Sequence, residues 1–153
     1  MRIGLISDTH NLLRPEALEF LRGCDHILHG GDIGDESILE RLAELAPLSV
    51  VRGNNDKQSW AQRLPHSLRL EFENVVIHAV HDIAELDVDP VEAGVQVVVT
   101  GHSHKPLVRE RDGVVYVNPG SAGRRRFSLP IALGELIIRG SQVTPRIVEL
   151  TPG

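Results

Sequence analysis

The sequence predicts an α/β fold in which short parallel strands alternate with helices. Strand-like apolar runs occur at residues 3–6, 25–29 and 48–51, and helix-like segments separate them along the chain. This alternation is typical of parallel strands joined by helical crossovers. A polar loop follows each strand, and in parallel sheets ligand groups gather in the loops beyond the carboxyl ends of the strands. A functional site is therefore expected at that edge of the sheet.

Two helices are predicted in the first half of the chain. The first begins at Pro15, which suits the first turn of a helix, and ends near Gly23. The second is capped by Asp35 or Ser37 and ends at Pro47. Apolar residues at helical spacing give the second helix a packed face, formed by Ile38, Leu39, Leu42 and Leu45.

The second half of the chain changes to pairs of strands joined by tight turns. A strand at residues 95–100 and a short helical segment near residues 90–93 are also predicted there. No repeat, low-complexity tract or linker is visible, so a single domain over residues 1–153 is expected. Three hairpins are predicted, formed by residues 67–72 with 75–80, 107–111 with 114–117, and 131–139 with 142–150.

The composition indicates a folded protein whose partner is neither a membrane nor an extended nucleic acid. Hydrophobic residues make up 41% of the chain, and the net charge is −5, which offers no general attraction to anionic polymers or lipids. Cys24 is the only cysteine, so a sulfur-rich metal site is excluded. No secretory signal and no apolar run of about 18 residues is visible, and a cytoplasmic protein is expected.

The chemistry-bearing residues share two properties: they follow predicted strands, and they offer only oxygen or imidazole donors. Such donors suit Mn, Fe, Co, Ni or Zn rather than copper(I) or an iron–sulfur cluster. Seven ligands exceed one tetrahedral site but fit two metals, and paired metals ~3.5–4 Å apart can hold a hydroxide for in-line attack on a phosphoryl group. Asp32 is the natural bridging carboxylate. The seven residues are Asp8, His10, Asp32, Asn54, His81, His102 and His104.

This set resembles the calcineurin-like metallophosphoesterases. That family's pattern is D-x-H, G-D, G-N, a lone H and G-H-x-H, and the motifs occur here in the same order and at fitting spacing. The short length and the loop Asn118-Pro119-Gly120-Ser121 are similar to the small prokaryotic phosphodiesterase branch. The matching segments are Asp8-Thr9-His10, Gly31-Asp32, Gly53-Asn54, His81 and Gly101-His102-Ser103-His104.

The resemblance implies a four-layer α/β/β/α sandwich of two mixed sheets flanked by helices, together with a ligand assignment. Asp8, His10 and His104 would hold the first metal, Asn54, His81 and His102 the second, and Asp32 would bridge. The implied activity is hydrolysis of a small phosphate ester, foremost a phosphodiester, by a hydroxide that bridges two divalent metals. Mn is expected first, with Ni, Fe, Co or Zn as alternatives.

The chain departs from the family pattern at two positions. Asn55 stands where many members carry a histidine that helps the leaving group depart. A carboxamide donates hydrogen bonds but is no general acid, so Asn55 is expected to bind substrate and stabilise charge. Asp82 replaces the usual glycine after His81 and weakens that assignment. His78 is the competing ligand candidate.

Other residues carry weaker expectations. His29, beside the Gly31-Asp32 motif, is expected to be buried and to support the site rather than to bind metal. Arg124–Arg126 form the only basic run, usually a solvated feature, and Arg125 is the candidate to attract an anionic substrate. Trp60 is expected to pack near the Asn54 loop.

Two alternative functions stay open. The first is a catalytically weak or inactive scaffold that keeps the fold but works by docking partners. The second is a phosphomonoesterase or nucleotidase that uses the same site. A homo-oligomer is one option for the assembly, and the sequence does not decide among these.

Overall fold

The structure is a computed structural model that describes residues 1–151. Two further short helical turns of 3₁₀ type, Ser59–Arg63 and Ile83–Glu85, lie between strands. The helices and strands are, in chain order, β1 (Arg2–Ile6), α1 (Pro15–Leu21), β2 (His26–His29), α2 (Glu36–Ala43), β3 (Leu48–Val50), β4 (Ser67–Phe72), β5 (Val75–Val80), β6 (Val97–Val99), β7 (Leu107–Arg111), β8 (Val114–Asn118), β9 (Ala132–Arg139) and β10 (Gln142–Glu149).

The strands form two mixed sheets of five strands each, as the sequence resemblance implied. The first sheet has the order β10-β9-β1-β2-β3, in which β1, β2 and β3 are parallel and the β9–β10 hairpin is antiparallel. The second has the order β4-β5-β6-β8-β7, with a parallel centre of β5, β6 and β8. Both sheets therefore present several strand ends to one edge.

The three predicted hairpins are present, and the turn of each contains at least one residue with positive φ. Asp112 and Gly113 both have positive φ, 53° and 78°, as the tight two-residue turn of a hairpin requires. Glu73 has φ 52° in the β4–β5 turn. The β9–β10 turn contains Gly140 at φ 62°.

A core of aliphatic side chains lies between the two sheets. β5 is buried on both faces, at all six positions, as is common for strands inside a layered fold. The abundance of β-branched valine and isoleucine follows from the pleated surfaces that meet there. The fully buried members include Ile3, Leu5, Leu28, Ile77, Val97, Leu136 and Ile138.

Helices α1 and α2 cover the outer face of the first sheet. Asp35 caps α2, because its side chain accepts a hydrogen bond from the Ser37 amide. The helix ends at Ala43 rather than at Pro47, but Leu45 still packs on the same cluster. No helix among residues 1–151 is long and apolar enough to cross a membrane.

The outer face of the second sheet is covered by the segment that joins β5 to β6. Leu86, Ala93 and Tyr116 pack there against a small cluster of valines. The predicted helical segment near residues 90–93 is wrong, since these residues form hydrogen-bonded turns. Pro90 and Gly94, the latter at φ 72°, leave too few residues between them for a helix to propagate.

Candidate metal centre

The loops that follow β1, β2, β5 and β6 bring six imidazole and carboxylate side chains of the predicted set to one place. Each of two groups offers ligand atoms that all lie within 4.8 Å of one another. The groups adjoin, because His81 Nε2 lies 3.2 Å from Asp32 Oδ2 and 3.9 Å from Asp8 Oδ1. The first group is Asp8, His10 and His104, and the second is Asp32, His81 and His102.

Asn54 joins the second group from the loop after β3. Its Oδ1 lies 3.1 Å from His102 Nδ1. His10 Nε2 links the groups as well, since it lies 3.5 Å from Asp32 Oδ2 and 3.8 Å from Asp8 Oδ1. All seven predicted ligands thus meet, with Asp32 between imidazoles of both groups.

Buried polar atoms without partners show that this cluster fits a metal. Asp8 Oδ1, His10 Nε2 and His81 Nε2 are buried, face one another and have no hydrogen bond among the described residues. Buried polar atoms are nearly always satisfied, so three unpaired atoms in one cluster need another explanation. A divalent cation satisfies carboxylate oxygens and imidazole lone pairs together.

In Asp8 and His81 the second polar atom of the side chain is hydrogen-bonded, which orients the unpaired one. Asp8 Oδ2 accepts hydrogen bonds from the Ser7 hydroxyl (2.6 Å) and the His102 amide (3.1 Å). His81 Nδ1 lies 2.6 Å from the Gly30 carbonyl oxygen and donates to it. This bond leaves the Nε2 lone pair of His81 directed at the cluster, the arrangement typical of metal-bound histidines.

The electrostatics also favour a cation in this cluster. Burial raises the pKa of the Asp8 carboxyl, but His10, His104 and the Ser7 hydroxyl outweigh burial and hold that pKa well below its usual range. Burial alone would lower the pKa of His81, yet its 3.2 Å contact with Asp32 and the charge of Asp8 raise it to about 9. Without metal, a proton on His81 compensates the two buried carboxylates.

Five of the seven side chains stand on strained backbone. Left-handed φ values cost non-glycine residues on the order of 1–3 kcal/mol each. Such strain persists only where the surroundings determine it, and it concentrates at functional sites. The residues are Asp8 (54°), His10 (43°), Asp32 (58°), His102 (71°) and His104 (63°).

Asp56 holds two of these loops in place, a role that the sequence did not reveal. One oxygen of its buried carboxylate accepts the amides of Asp32 (2.9 Å) and Gly53 (2.7 Å). The other accepts the amide of Ile33 (2.9 Å). From the sequence, Asp56 is expected only as a cap or turn residue. The Asp32 loop and the Asn54 loop are tied together by this one side chain.

Neighbouring atoms lie so close to Gly31 and Gly53 that these two motif positions have no room for a side chain. A Cβ atom on Gly31 would lie 2.7 Å from His81 Nδ1 and 2.8 Å from the Gly53 amide nitrogen. A Cβ on Gly53 would overlap the Asp32 amide nitrogen and Asp32 Oδ1. A side chain on Gly53 would therefore displace the Asp32 carboxylate, and one on Gly31 would displace the His81 ring or the Gly53 backbone, which is why only glycine fits.

His29 supports the site without facing it. Its Nδ1 accepts the Gly31 amide (3.0 Å), so its Nε2 carries the proton and donates to the Thr9 hydroxyl (3.1 Å). That hydroxyl in turn donates to the Ile33 carbonyl. Full burial lowers the pKa of His29 to about 4, so it is a neutral brace between the first two loops.

The Asn118 loop supports the cluster from the second sheet. The Asn118 amide donates to the Gly101 carbonyl (2.9 Å) and to the Ser103 hydroxyl (3.1 Å). Ser121 Oγ donates to the Asp8 carbonyl (2.9 Å). The loop therefore fixes both the double-histidine segment and the Asp8 backbone.

The remaining candidates lie as follows. Asn55 donates to both oxygens of Asp32, from its backbone amide (2.9 Å) and its side-chain amide (3.1 Å). His78 belongs to neither ligand group, whereas His81 does. Asp82 Oδ2 lies 3.6 Å from His102 Nε2. Arg125 is exposed, and its Nε donates to the Leu129 carbonyl within its own loop.

A cavity of about 480 Å³ opens beside the first group. It is lined by His10 and Asp32 of the cluster, by Asn55, and by Trp60 on the outer side. Its volume is in the range of small-molecule sites. A small ligand can therefore reach the cluster directly through this cavity.

We predict that the metal-free protein is most stable near pH 6.5. The raised pKa of His81 contributes stability that is complete below pH 6.5 and is lost as pH rises toward 9. The lowered pKa of His29 acts oppositely, so stability also falls as pH drops from 6.5 toward 4. The loss of stability between pH 6.5 and pH 9 should amount to about 1–3 kcal/mol, measured by urea unfolding after chelation.

His81→Asn serves as the control, since it should remove the loss of stability above pH 6.5 and keep the loss below it. With saturating metal, stability should instead rise with pH above 6.5, because ligands must lose protons before they bind metal. A free energy of unfolding that is constant between pH 6.5 and 9 in the metal-free protein would contradict this account of His81.

We also predict that Asp56→Asn damages the site indirectly. The new amide would turn an N–H group toward backbone amides that now donate to Asp56, so the free energy of unfolding should fall by about 2–4 kcal/mol. Metal affinity should fall about tenfold or more, as for other outer partners of a metal site. Asp35→Asn, an exposed helix cap, is the matched control for urea unfolding and calorimetric metal titration. Equal effects of the two variants would refute the role given to Asp56.

Comparison with known proteins agrees with this geometry. The family model described as "Calcineurin-like phosphoesterase superfamily domain" matches residues 1–138. A relative from Methanothermobacter thermautotrophicus, described as "Probable metallophosphoesterase", is 34% identical over 161 residues, which cover 97% of this chain and 92% of that protein.

Two solved structures share the fold. An archaeal phosphodiesterase superposes with a TM-score of 0.81 at 21% identity, covering 97% of this chain and all of that one. Wild-type Vps29 from Entamoeba histolytica, complexed with Zn²⁺, superposes with a TM-score of 0.77 at 24% identity, covering 97% and 99%. By its match to the family model and to the archaeal relative, the chain belongs to the calcineurin-like phosphoesterase superfamily.

Proposed function

We propose that this protein is a metal-dependent phosphodiesterase that hydrolyses small phosphate diesters. The observation that carries the proposal is the convergence of three unpaired buried atoms, Asp8 Oδ1, His10 Nε2 and His81 Nε2, beside an open cavity. Phosphoesterases of this superfamily typically bind divalent metals, and the donor types fit them. One of the solved structures that share this fold is that of an archaeal phosphodiesterase.

The ligand assignment follows the two groups. Asp8, His10 and His104 would hold one cation, while His81, His102 and Asn54 would hold the other. Asp32 would be shared, since its Oδ2 lies within 3.5 Å of imidazole nitrogens from both groups. We propose Mn first, because carboxylate and amide oxygens accompany the imidazoles, with Ni, Fe, Co and Zn as alternatives.

Two bound cations would polarise the phosphoryl oxygens and supply an activated water for in-line displacement. The protein's own contribution is orientation. The Ser7 hydroxyl and the His102 amide fix the Asp8 carboxylate, and the Gly30 carbonyl fixes the His81 ring. Because these contacts exist before substrate arrives, little reorganisation is needed when charge develops in the transition state.

We propose that Asn55 both positions Asp32 and binds the phosphoryl group. Its side-chain nitrogen carries two hydrogens, and one of them is directed at Asp32 Oδ2. The other is available to a phosphoryl oxygen in the cavity that Asn55 lines. A carboxamide stabilises negative charge in this way but supplies no proton to the leaving group.

Three expectations from the sequence stay predictions. Arg125 is proposed to attract an anionic substrate, which requires its exposed guanidinium to turn toward the cavity from the loop that it now contacts. A homo-oligomer and a cytoplasmic location are likewise not decided by the fold. The proposed ligand is a small phosphate ester rather than a membrane or an extended nucleic acid.

Metal-reconstituted activity on a panel of phosphate esters tests the proposed function. After chelation, Mn²⁺, Ni²⁺ or Zn²⁺ should restore turnover of phosphodiesters, and Asp8→Asn or His104→Asn should reduce kcat at least about 100-fold. His66→Asn, an exposed histidine that contacts Arg52, is the matched control. Metal binding without turnover of any ester would favour the scaffold. Faster turnover of monoesters would favour a phosphomonoesterase or nucleotidase.

We predict that the leaving group limits the rate because Asn55 donates no proton. Aryl phosphodiesters should therefore react faster than alkyl phosphodiesters. Asn55→His should raise the rate on alkyl esters by about tenfold or more, since general acid catalysis contributes on the order of 10²–10⁴ when fully developed. Equal rates of the wild-type protein on both ester classes would remove this explanation. Asn55→Gln keeps the amide and should gain nothing on alkyl esters.

A further inference from the structure

A second cavity, of about 410 Å³, opens on the other side of the metal cluster. It begins at His102 and Asp82 and continues along the outer face of the second sheet. We call it the Arg109 groove. The side chains that line its walls beyond the cluster are Ile83, Leu86, Leu107, Tyr116, Arg109 and Arg111.

Strand register places these wall residues on one face. In the antiparallel β7–β8 pair, Arg109 is opposite Tyr116, and Leu107 is opposite Asn118. Directly opposite residues share a face, as do alternate residues along one strand. Tyr116 and Leu86 both pack against the valine cluster on the outer side of the sheet, and both line the groove. The groove is therefore built from regular structure rather than from loops alone.

The groove is joined to the metal cluster by hydrogen bonds at its near end. Asn118, opposite Leu107, donates to the Gly101 carbonyl just before His102. On the other wall, Asp82 Oδ1 accepts the Ala84 amide and starts the short helix at Ile83. A ligand group bound at the metals can thus extend into the groove without crossing a gap.

Apolar walls near the cluster give way to positive charge further along. Ile83 and Leu107 are each 49% exposed, although large apolar side chains usually avoid water. Arg109 has no carboxylate within ion-pair distance among residues 1–151, and Arg111 has only the exposed Asp112 at 3.9 Å. From Leu107 to Arg109 the strand advances about 7 Å.

The two cavities that flank the cluster therefore differ in charge. The cavity beside His10 also contains the carboxylates Asp35 and Asp56 and disfavours an additional anion. The Arg109 groove offers two guanidinium groups on a protein of net charge −5. Guanidinium groups bind carboxylates and phosphates by paired hydrogen bonds.

We propose that the Arg109 groove binds one ester arm of the substrate, and that the preferred arm is an apolar or aromatic group that ends in an anion. The arm would lie against Leu107 and Tyr116, while its anion would reach Arg109. This inference rests on the proposed phosphodiesterase function, since it places the reacting phosphoryl group at the metals. It names a substrate class: diesters with one anionic aryl or alkyl arm.

Three diesters with the same 4-nitrophenyl leaving group test the proposal. Their second arms are methyl, benzyl and 4-carboxybenzyl, so the chemistry of the leaving group is constant. With metal-loaded wild-type protein, kcat/KM should rise from methyl to benzyl and again, about tenfold, from benzyl to 4-carboxybenzyl. Arg109→Ala should remove the second increase and leave the methyl diester unaffected.

Two further variants separate charge from structure. Arg109→Lys keeps the positive charge and should retain part of the preference. Arg41→Ala, an exposed arginine on α2, should retain all of it. If the methyl diester is hydrolysed but 4-carboxybenzyl gives no advantage, or if Arg41→Ala and Arg109→Ala act alike, the groove proposal is overturned while the phosphodiesterase stands.

A binding measurement keeps the two proposals distinguishable. Calorimetric titration of the metal-loaded protein with 4-carboxybenzylphosphonate and with methylphosphonate needs no turnover. Tighter binding of the first compound, about tenfold and lost in Arg109→Ala, supports the groove even if no ester is hydrolysed. Equal affinities for the two phosphonates contradict the groove, whatever the activity.

Discussion

Two carboxylates buried in one cluster are the constraint around which this structure is arranged. Asp8 and Asp32 both lie within 4 Å of His81 Nε2, and both are almost inaccessible to water. Buried charges are very costly unless they are paired. In the protein alone, the two carboxylates raise the pKa of the His81 imidazole, and the proton it then carries supplies the pairing. Divalent cations would compensate the same charge more completely through the atoms that lack partners.

Holding those ligands in place requires strained backbone, and the strain is supported from outside the cluster. Asp8, Asp32 and His104 have φ values that non-glycine residues seldom adopt. Three backbone amides bound by Asp56 and the neutral brace of His29 determine the loops after β1, β2 and β3. These supports consist of hydrogen bonds to backbone, so they act whichever cation is bound.

The cluster also divides the surface into two environments. On one side lies a polar cavity with several carboxylates, and on the other a largely apolar groove with two arginines. Metal ligands alone cannot distinguish one phosphodiester from another, because every phosphodiester presents the same two non-bridging phosphoryl oxygens. Discrimination must come from the arms of the substrate, and the two cavities treat an apolar or an anionic arm differently.

The sequence by itself determined most of the strands and helices and which side chains could form the cluster. β-Branched runs followed by polar loops locate the strand ends, and Asp112-Gly113 demands a tight turn, since such signals depend on near neighbours in the chain. Prediction from near neighbours fails at residues 90–93, where turns replace the predicted helical segment, because packing rather than local preference decides whether a short helix forms.

Only the tertiary structure decided what supports the ligands and where a substrate arm can lie. Asp56 resembles any turn aspartate in the sequence, and its role exists only because the amides of Asp32 and Ile33 reach it from more than 20 residues away. Arg109 becomes part of a groove only through the pairing of β7 with β8 and the packing of Leu86 and Tyr116 on one valine cluster. Local sequence patterns carry no information on such contacts, since they depend on the positions of distant segments in three dimensions.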